Sequence, residues 1–539
     1  MTGAPSVIGV VGAGTMGAGI AQLGCLAGAR TVLFDPVGAA LDRALERIPA
    51  DLERGAARGR WSGEEARAAA GRLVRAGSLE DLRECGLVIE AAPERLELKH
   101  ELFGTLSREV VDAGCVLASN TSSIPITAIA AAAARPERVV GMHFFNPAPL
   151  MRLVEVIAGV ESSPEALAVA RATGEAMGKR VIDAADGPGF LVNRCNRPFG
   201  LEALRLVQER IATVEEIDRV CRLAGGFRMG PFELQDLVGI DTGLEVSKSF
   251  YELSFGEPRW RPSTLSARMV AAGRLGRKTG RGWYAYADGP HRPDDEPPPA
   301  LVPTGGQGRL VVIAGDLVVA HELRALAGEA GFDARDPEAA AGEVPWLAID
   351  CGAAPDEPPL QGGPMAILCA EGTLAELDAG GTAVGFHALP PLETCGLVEL
   401  TRAETTADAA AERAAAFFAA LGKHVAWVGD APGLVLGRIV CQVINEAAFA
   451  VGEGVGAAAD VDAGMVLGLN HPRGPLAWAD AIGLDHVLAV LDGLYGELRE
   501  ERYRAAPLLR RYVAQGRLGE VTGAGFHDHD EQFHDGEEI

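Results

Sequence analysis

The sequence predicts an α/β domain followed by an all-helical domain, and then the same pair again. Three observations predict this. The chain opens strand, glycine turn, helix, strand; the stretch 187–286 is patterned almost wholly as helix; and a series of residues recurs at one fixed displacement. At 539 residues there is room for three or four domains, each with its own core.

Val7-Ile8-Gly9-Val10-Val11 is a short apolar run, followed by Gly12 to Gly17 (GAGTMG), a helix-compatible stretch Ala18–Ala27, and a second run Thr31–Phe34 that ends at Asp35. Residues 39–80 are Ala/Arg/Glu-rich with breaks near Gly55, Gly59 and Ser62-Gly63, which predicts an antiparallel helix pair. Strands return at Leu87–Ile89, Cys115–Ala118 and Arg138–Gly141. Strands alternating with helices predict a parallel, doubly wound sheet. The Pro- and Gly-rich stretch 287–308, with Pro297-Pro298-Pro299, predicts a stiff linker.

Beyond that linker the chain repeats itself. Gly178-Lys179 returns as Gly422-Lys423, Asp186 as Asp430, Pro188-Gly189 as Pro432-Gly433, Asp236 as Asp480, and Gly239-Ile240-Asp241 as Gly483-Leu484-Asp485, each displaced by 244. The same displacement carries His143 onto His387 and Glu155 onto Glu399. The expected domains are therefore 1–186 (sheet), 187–286 (helical), 287–308 (linker), 309–429 (a second, degenerate sheet domain), 430–526 (second helical domain) and 527–539 (acidic tail).

Acidic residues number 74 against 49 Lys and Arg, a formal charge of −25, which argues against nucleic acid or an anionic membrane surface as partner. The apolar run Ile124–Ala134 is too short to cross a bilayer, and the N-terminus shows no basic region ahead of an apolar one. Nine scattered cysteines, never spaced CxxC, predict a reduced cytoplasmic protein with no metal site. The His/Asp-rich end from His527 offers metal-binding side chains, but a solvated acidic tail is the simpler reading.

Gly12, Gly14 and Gly17, with Thr15 and Met16 between them, fit GxGxxG at a strand-to-helix turn. Such a turn brings a pyrophosphate onto backbone N–H groups at a helix N-terminus, the Rossmann arrangement. Asp35, 18 residues past Gly17, suits ribose hydroxyls and repels a 2′-phosphate, so NAD is expected rather than NADP. His143 follows an apolar strand, where a lone histidine is more often structural. Glu155 lies in the apolar run Leu153–Ile157, where a carboxylate is costly unless paired. A buried carboxylate holding an imidazole makes a general base.

GAGTMG, Ser119-Asn120-Thr121-Ser122-Ser123, His143-Phe144-Phe145-Asn146-Pro147, Leu153–Ile157 and Gly187–Arg194, in order over about the first 285 residues, resemble the L-3-hydroxyacyl-CoA dehydrogenase family. The resemblance implies an NAD-binding Rossmann domain plus a helical domain, and reversible oxidation of the 3-hydroxyl of an acyl-CoA, hydride passing to NAD. It assigns His143 as base, Glu155 as its orienting partner, Ser122 and Asn193 as hydrogen-bonders at the reacting oxygen, and Glu94 and Lys99 as lining of the cofactor site near the nicotinamide. Arg58 and Arg60, on the helix pair, become candidates for the CoA tail.

The second copy reads as disabled. Val311–Val319 lacks GxGxxG and carries Asp316. About 10 residues separate Asp336 from Trp346, so the helix pair is deleted. Ser119–Ser122 gives way to Ala370-Glu371-Gly372-Thr373, and Asn193 to Gly437. The second helical domain is expected to pack on the first as an internal pseudo-dimer; a homo-oligomer also stays open. Rival readings are a dehydrogenase of a free hydroxy acid, gulonate-like, and a non-catalytic acyl-CoA or NAD-binding protein. Acyl length stays open between 3-hydroxybutyryl-CoA and 3-hydroxyadipyl-CoA.

Overall fold

The computed structural model describes residues 3–286, 289–352, 360, 362–378 and 380–529. Most of the expected acidic tail lies outside them. In chain order the first copy comprises β1 (Val7–Val11), α1 (Thr15–Leu26), β2 (Arg30–Phe34), α2 (Gly38–Ala57), α3 (Gly63–Ala70), β3 (Leu73–Arg75), β4 (Leu87–Glu90), α4 (Leu96–Thr105), β5 (Val116–Ser119), α5 (Ile126–Ala130), β6 (Val139–Phe144), β7 (Leu153–Ala158), α6 (Pro164–Ala176), β8 (Arg180–Ala185) and the short α7 (Val192–Cys195). Helices α8 (Arg197–Gln208), α9 (Val214–Leu223), α10 (Pro231–Val238), α11 (Ile240–Leu253) and α12 (Thr264–Ala271) follow.

The second copy has β9 (Leu310–Ala314), α13 (Val318–Glu329), β10 (Asp333–Arg335), β11 (Leu347–Asp350), β12 (Met365–Leu368), α14 (Leu374–Leu377), β13 (Val384–His387), β14 (Leu397–Arg402), α15 (Asp408–Ala420) and β15 (His424–Trp427). Helices α16 (Leu436–Gly452), α17 (Ala458–Leu469), α18 (Pro475–Ile482), α19 (Leu484–Leu498) and α20 (Pro507–Ala514) close it.

The chain divides into two compact units, and the division does not follow the repeat. One comprises Met1–Arg194 together with Gly454–Leu469; the other holds Cys195–Glu453 and Asn470–Ile539. Helix α17, part of the second copy, thus belongs with the first sheet.

The first unit is built on an eight-stranded sheet, order β3-β2-β1-β4-β5-β6-β7-β8. Strands β4, β5 and β6 are buried throughout, and β1 in all but its first residue, because helices cover both faces. The helix pair is present: α2 buries Leu41, Ala44, Ile48, Leu52 and Gly55 along one stripe, and α3 starts at a capping box between Ser62 and Glu65. The third strand of this region, β3, was not expected; its three residues carry too little pattern to announce a strand, and β2 supplies the pairing. The sheet also departs from all-parallel at one place. Strand β7 runs antiparallel to β6, because the eight residues from Phe145 to Arg152 are too short for a helical crossover. That reversal sets His143 directly opposite Glu155.

The second unit contains a seven-stranded sheet, order β10-β9-β11-β12-β13-β14-β15, and the helical domains of both copies. The deletion is larger than the sequence reading proposed: among the described residues the counterpart of β3 is missing along with those of α2 and α3. Here α8 packs along α16. Arg438, 1% exposed, donates to Glu202 at 2.5 Å, to Glu209 at 2.6 Å and to the Tyr503 hydroxyl at 2.9 Å, while that hydroxyl donates to Glu202 at 2.9 Å. Each helical domain is closed by an aspartate: Asp236 accepts the N–H groups of Trp283 and Tyr284, and Asp480 those of Phe526 and His527. His529 also contacts Asp480, so of the first residues of the expected tail His527 and His529 are half-buried and Asp528 is exposed. Described parts of the 287–308 segment are likewise pinned: Asp295 pairs with Arg222, and His291 and Arg292 with Glu233. All nine cysteines are free thiols and buried.

Candidate active site and its silent copy

The glycine turn and the acidic strand end come together as one structure. Gly12 sits at φ +106°, where a Cβ would press on the Ala91 carbonyl at 2.5 Å, and a Cβ on Gly17 would collide with the Gly12 carbonyl. A Cβ on Gly14 would meet nothing, so this turn presents open backbone. Asp35 ties the turn down, accepting Ala13 N–H at 2.7 Å and Val37 N–H at 2.8 Å. Beside it lies an open cavity of about 580 Å³ lined by Ala13, Gly14, Thr15, Arg43, Glu46 and Arg47, among others. Bare backbone, a helix N-terminus and an acidic strand end fit a dinucleotide. Met16 instead packs against the apolar core.

At the far end of the sheet, the His143 ring is 4% exposed and Glu155 wholly buried. Glu155 Oε2 is 2.6 Å from His143 Nδ1. Its other oxygen accepts the N–H groups of Leu191 at 3.2 Å and Val192 at 3.0 Å. Every partner of this carboxylate is a donor, so it fixes the proton on Nδ1 and turns the Nε2 lone pair outward. Nε2 lies 3.0 Å from Ser122 Oγ. Asn193 sits on α7, immediately after the amide that holds Glu155.

Glu94 organises the turn that carries Ser122. Its Oε1 accepts from the Thr121 hydroxyl at 2.5 Å, from Ser122 and Ser123 N–H at 3.1 Å each, and from the Ser123 hydroxyl at 3.0 Å. Burial pushes this carboxyl up, but Lys99 and these hydrogen bonds outweigh burial and hold it below the ordinary range. Lys99 is 1% exposed, with its ammonium 2.8 Å from both Glu90 oxygens and 3.4 Å from Glu94. It therefore steadies Glu94 from beneath. Glu90, which also accepts the Ser119 hydroxyl at 2.6 Å, escaped the sequence reading. Its one signal was an acidic residue ending the apolar strand Leu87-Val88-Ile89. Asn120 escaped too; its Oδ1 accepts Phe144 N–H at 2.8 Å, next to the base.

A second cavity, about 330 Å³, opens between α1, the helix pair and the Pro147–Leu150 loop. Arg47, Arg54, Arg58, Arg60 and Trp61 line it. In the basic segment Arg277–Arg281, Lys278 pairs with Asp241, while Arg277 and Arg281 are exposed.

Residues 7–187 match the family described as 3-hydroxyacyl-CoA dehydrogenase, NAD binding domain, and residues 189–286 and 433–529 each match its C-terminal domain. The chain belongs to the 3-hydroxyacyl-CoA dehydrogenase family. It is an NAD-dependent oxidoreductase of that family. A protein of Escherichia coli (strain K12) named 3-hydroxyadipyl-CoA dehydrogenase is 35% identical over 511 residues, 94% of this chain and 96% of its own length. A 3-hydroxybutyryl-CoA dehydrogenase of Mycobacterium tuberculosis is 42% identical over 287 residues, all of its length but only 53% of this chain. Among solved structures, 3-hydroxybutyryl-CoA dehydrogenase from Escherichia coli K12 superposes with a TM-score of 0.77 at 33% identity, covering 95% of this chain and 98% of its own. Both matches of the C-terminal family domain lie in this one chain, as the duplication requires.

The second copy of this dehydrogenase repeats the strand pairing but not the hydrogen bonds. His387 stands opposite Glu399, as His143 does to Glu155. Yet Glu399 spends one oxygen on each of two amides, Val435 at 2.7 Å and Leu436 at 3.1 Å, and burial pushes its pKa up to about 8. Among the described residues His387 Nδ1 has no hydrogen-bond partner, and Nε2 faces Nε2 of His486 at 3.2 Å. Burial and that second imidazole hold His387 well below the ordinary histidine range. Gly437 replaces Asn193, and a Cβ there would collide with the His387 ring. Arg324 donates to the Ile313 and Gly315 carbonyls under the former glycine turn. One correspondence is corrected: Ser119 pairs with Gly141 as Ile367 does with Gly385, and Ile126 and Leu374 donate alike to Asp186 and Asp430, so Ser119–Ser122 aligns with Ile367–Ala370, three residues earlier than the sequence comparison placed it.

Proposed function

We propose that the first copy oxidises the 3-hydroxyl of a (3S)-3-hydroxyacyl-CoA to the 3-ketone, reversibly, and that the second copy performs no chemistry. The run Ser122 Oγ, His143 Nε2, His143 Nδ1, Glu155 Oε2, with steps of 3.0 and 2.6 Å, carries this reading. NAD, when bound along Gly12–Gly17 with its ribose at Asp35, supplies the hydride acceptor. Ser122 and Asn193 hold the hydroxyl oxygen, and His143 Nε2 takes its proton. Glu155 stabilises the resulting imidazolium in a buried site where that charge would otherwise be costly. In the reverse direction the same imidazolium returns the proton.

The four arginines around the 330 Å³ cavity supply what a CoA tail needs from an otherwise acidic protein, local positive charge facing phosphates. The second copy has lost the helix pair that builds this cavity. Packing of α8 on α16 supports the view that the two helical domains pair internally, as the two halves of a dimer would. Nine buried free thiols suit work in the reducing cytoplasm, and no helix among the described residues is long and apolar enough to cross a membrane.

The test is NADH oxidation with acetoacetyl-CoA, run beside NADPH and free acetoacetate. Rapid loss of NADH with the thioester alone is expected. Turnover of the free acid but not the thioester would sink the CoA reading. Since the relative matched over nearly the whole chain is named for 3-hydroxyadipyl-CoA, NAD reduction with that dicarboxylic thioester and with 3-hydroxybutyryl-CoA ranks the acyl chains.

A further inference from the structure

Helix α17 comes from the silent copy, yet it lies in the unit that holds the live site. It packs on β7 and β8, the strand of Glu155 and its neighbour, and Val455 just before it accepts Ala185 N–H at 2.8 Å. Three glycines let it come this close. A Cβ on Gly456 would stand 2.6 Å from Leu191 Cδ2, one on Gly464 2.6 Å from Val192 Cγ2, and one on Gly468 2.8 Å from Leu153 Cδ2 and 3.3 Å from the Phe145 ring.

These neighbours share one property. Leu191 and Val192 carry the N–H groups that hold Glu155. Phe145 packs on the base itself, its ring centroid 4.6 Å from that of His143. Leu153 is two residues from Glu155 on the same strand. The helix therefore meets the parts that place both members of the catalytic pair. Its equivalent in the first copy, α9, makes the mirrored contact on the silent sheet, where Gly429 N–H donates to Ile211 O and Gly396 N–H to Leu223 O. There the positions of Gly456, Gly464 and Gly468 are Ala212, Val220 and Ala224. The bare-backbone version of the helix is the one set against the working site.

We infer that α17 is a positioning element for catalysis in the first copy, with Gly464 and Gly468 as positioning residues that set the Glu155–His143 distance. This rests on His143 being the base. With no side chain between helix backbone and Val192 or Phe145, an added methyl has nowhere to go but into them, and the shift passes to the 2.6 Å hydrogen bond.

Gly464→Ala and Gly468→Ala test this in the full-length protein. Alanine is the better helix former, so α17 itself is not weakened. The expected result is a fall in kcat of at least tenfold, with NADH affinity by fluorescence titration unchanged. The acid limb of the kcat/KM profile should also move to lower pH, because an imidazolium less well held by Glu155 is more acidic. Ala459→Ser, on the exposed side of α17, should change none of these. Wild-type kcat and pH profile in both glycine variants would overturn the inference. Loss of NADH affinity in step with kcat would overturn it too, since that is what a general packing role gives. Failure of the base assignment shows separately, as undiminished turnover by His143→Gln.

Discussion

His143 and His387 stand on equivalent strands, opposite equivalent glutamates, and of the two only His143 is hydrogen-bonded to its glutamate. The difference lies in how the glutamate divides its oxygens. Glu155 gives both amides to one oxygen and keeps the other for the imidazole; Glu399 gives one oxygen to each amide and has none left. A buried carboxylate without a cationic partner is costly, and Glu399 meets that cost by holding its proton up to about pH 8. Retained residues are therefore a poor sign of retained chemistry. What decides is the number of donors each oxygen must serve.

The largest expected effect comes from exchanging the bases. His143→Gln should lower kcat with acetoacetyl-CoA by about 10²–10⁴-fold while NADH still binds, and His387→Gln should leave kcat within about twofold. A drop on the His387 side would mean that the silent copy takes part after all.

The glutamates come next. Glu155→Gln should cost about 100-fold in kcat, because the imidazole loses its fixed orientation. Glu399→Gln should leave activity intact and alter stability instead. With a folded pKa near 8 against 4.5 unfolded, Glu399 binds its proton more tightly in the fold, so it makes stability fall as pH rises from 4.5 to 8. His387, well below 6.5, and His486, at about 4, act oppositely, making stability rise with pH up to about 6.5. Between pH 6.5 and 8 Glu399 acts without that opposition. Thermal melts of Glu399→Gln should then exceed wild type most at pH 8 and match it near pH 5. Parallel curves would show that Glu399 is already ionised in the fold.

The smallest effect tests the space around the rings. Gly437→Asn, which restores the first copy's residue, should destabilise the second unit by about 1–3 kcal/mol, since the His387 ring fills that place. An unchanged melt would mean that the ring moves aside freely.

Much of this was legible in the sequence because it is local. The glycine turn, Asp35, the His–Glu pair and the breaks in the helix pair at Gly59 and Ser62 each rest on a few neighbouring residues. Strand β3 was not, since three residues make a strand only beside β2. The Lys99–Glu90 pair was hidden because a helix lysine reads as solvent-facing until its neighbour is known. The placement of α17 was beyond reach for a related reason: periodicity tells which face of a helix is apolar, never which of two similar sheets it will cover. Swapping of α9 and α17 between sheets leaves no trace in the spacing of either.

The buried thiols turn this division of the chain into something countable. Cys25, Cys85 and Cys115 fall in the first unit, and Cys195, Cys221, Cys351, Cys369, Cys395 and Cys441 in the second. Burial also pushes the pKa of Cys25 up to about 11 and those of Cys85 and Cys115 up to about 12, so in the folded state they are slow to alkylate. Each thiol becomes reactive when its own unit opens. Mass spectrometry of a partially denatured, alkylated sample therefore reads the melting of both units separately, in a single tube.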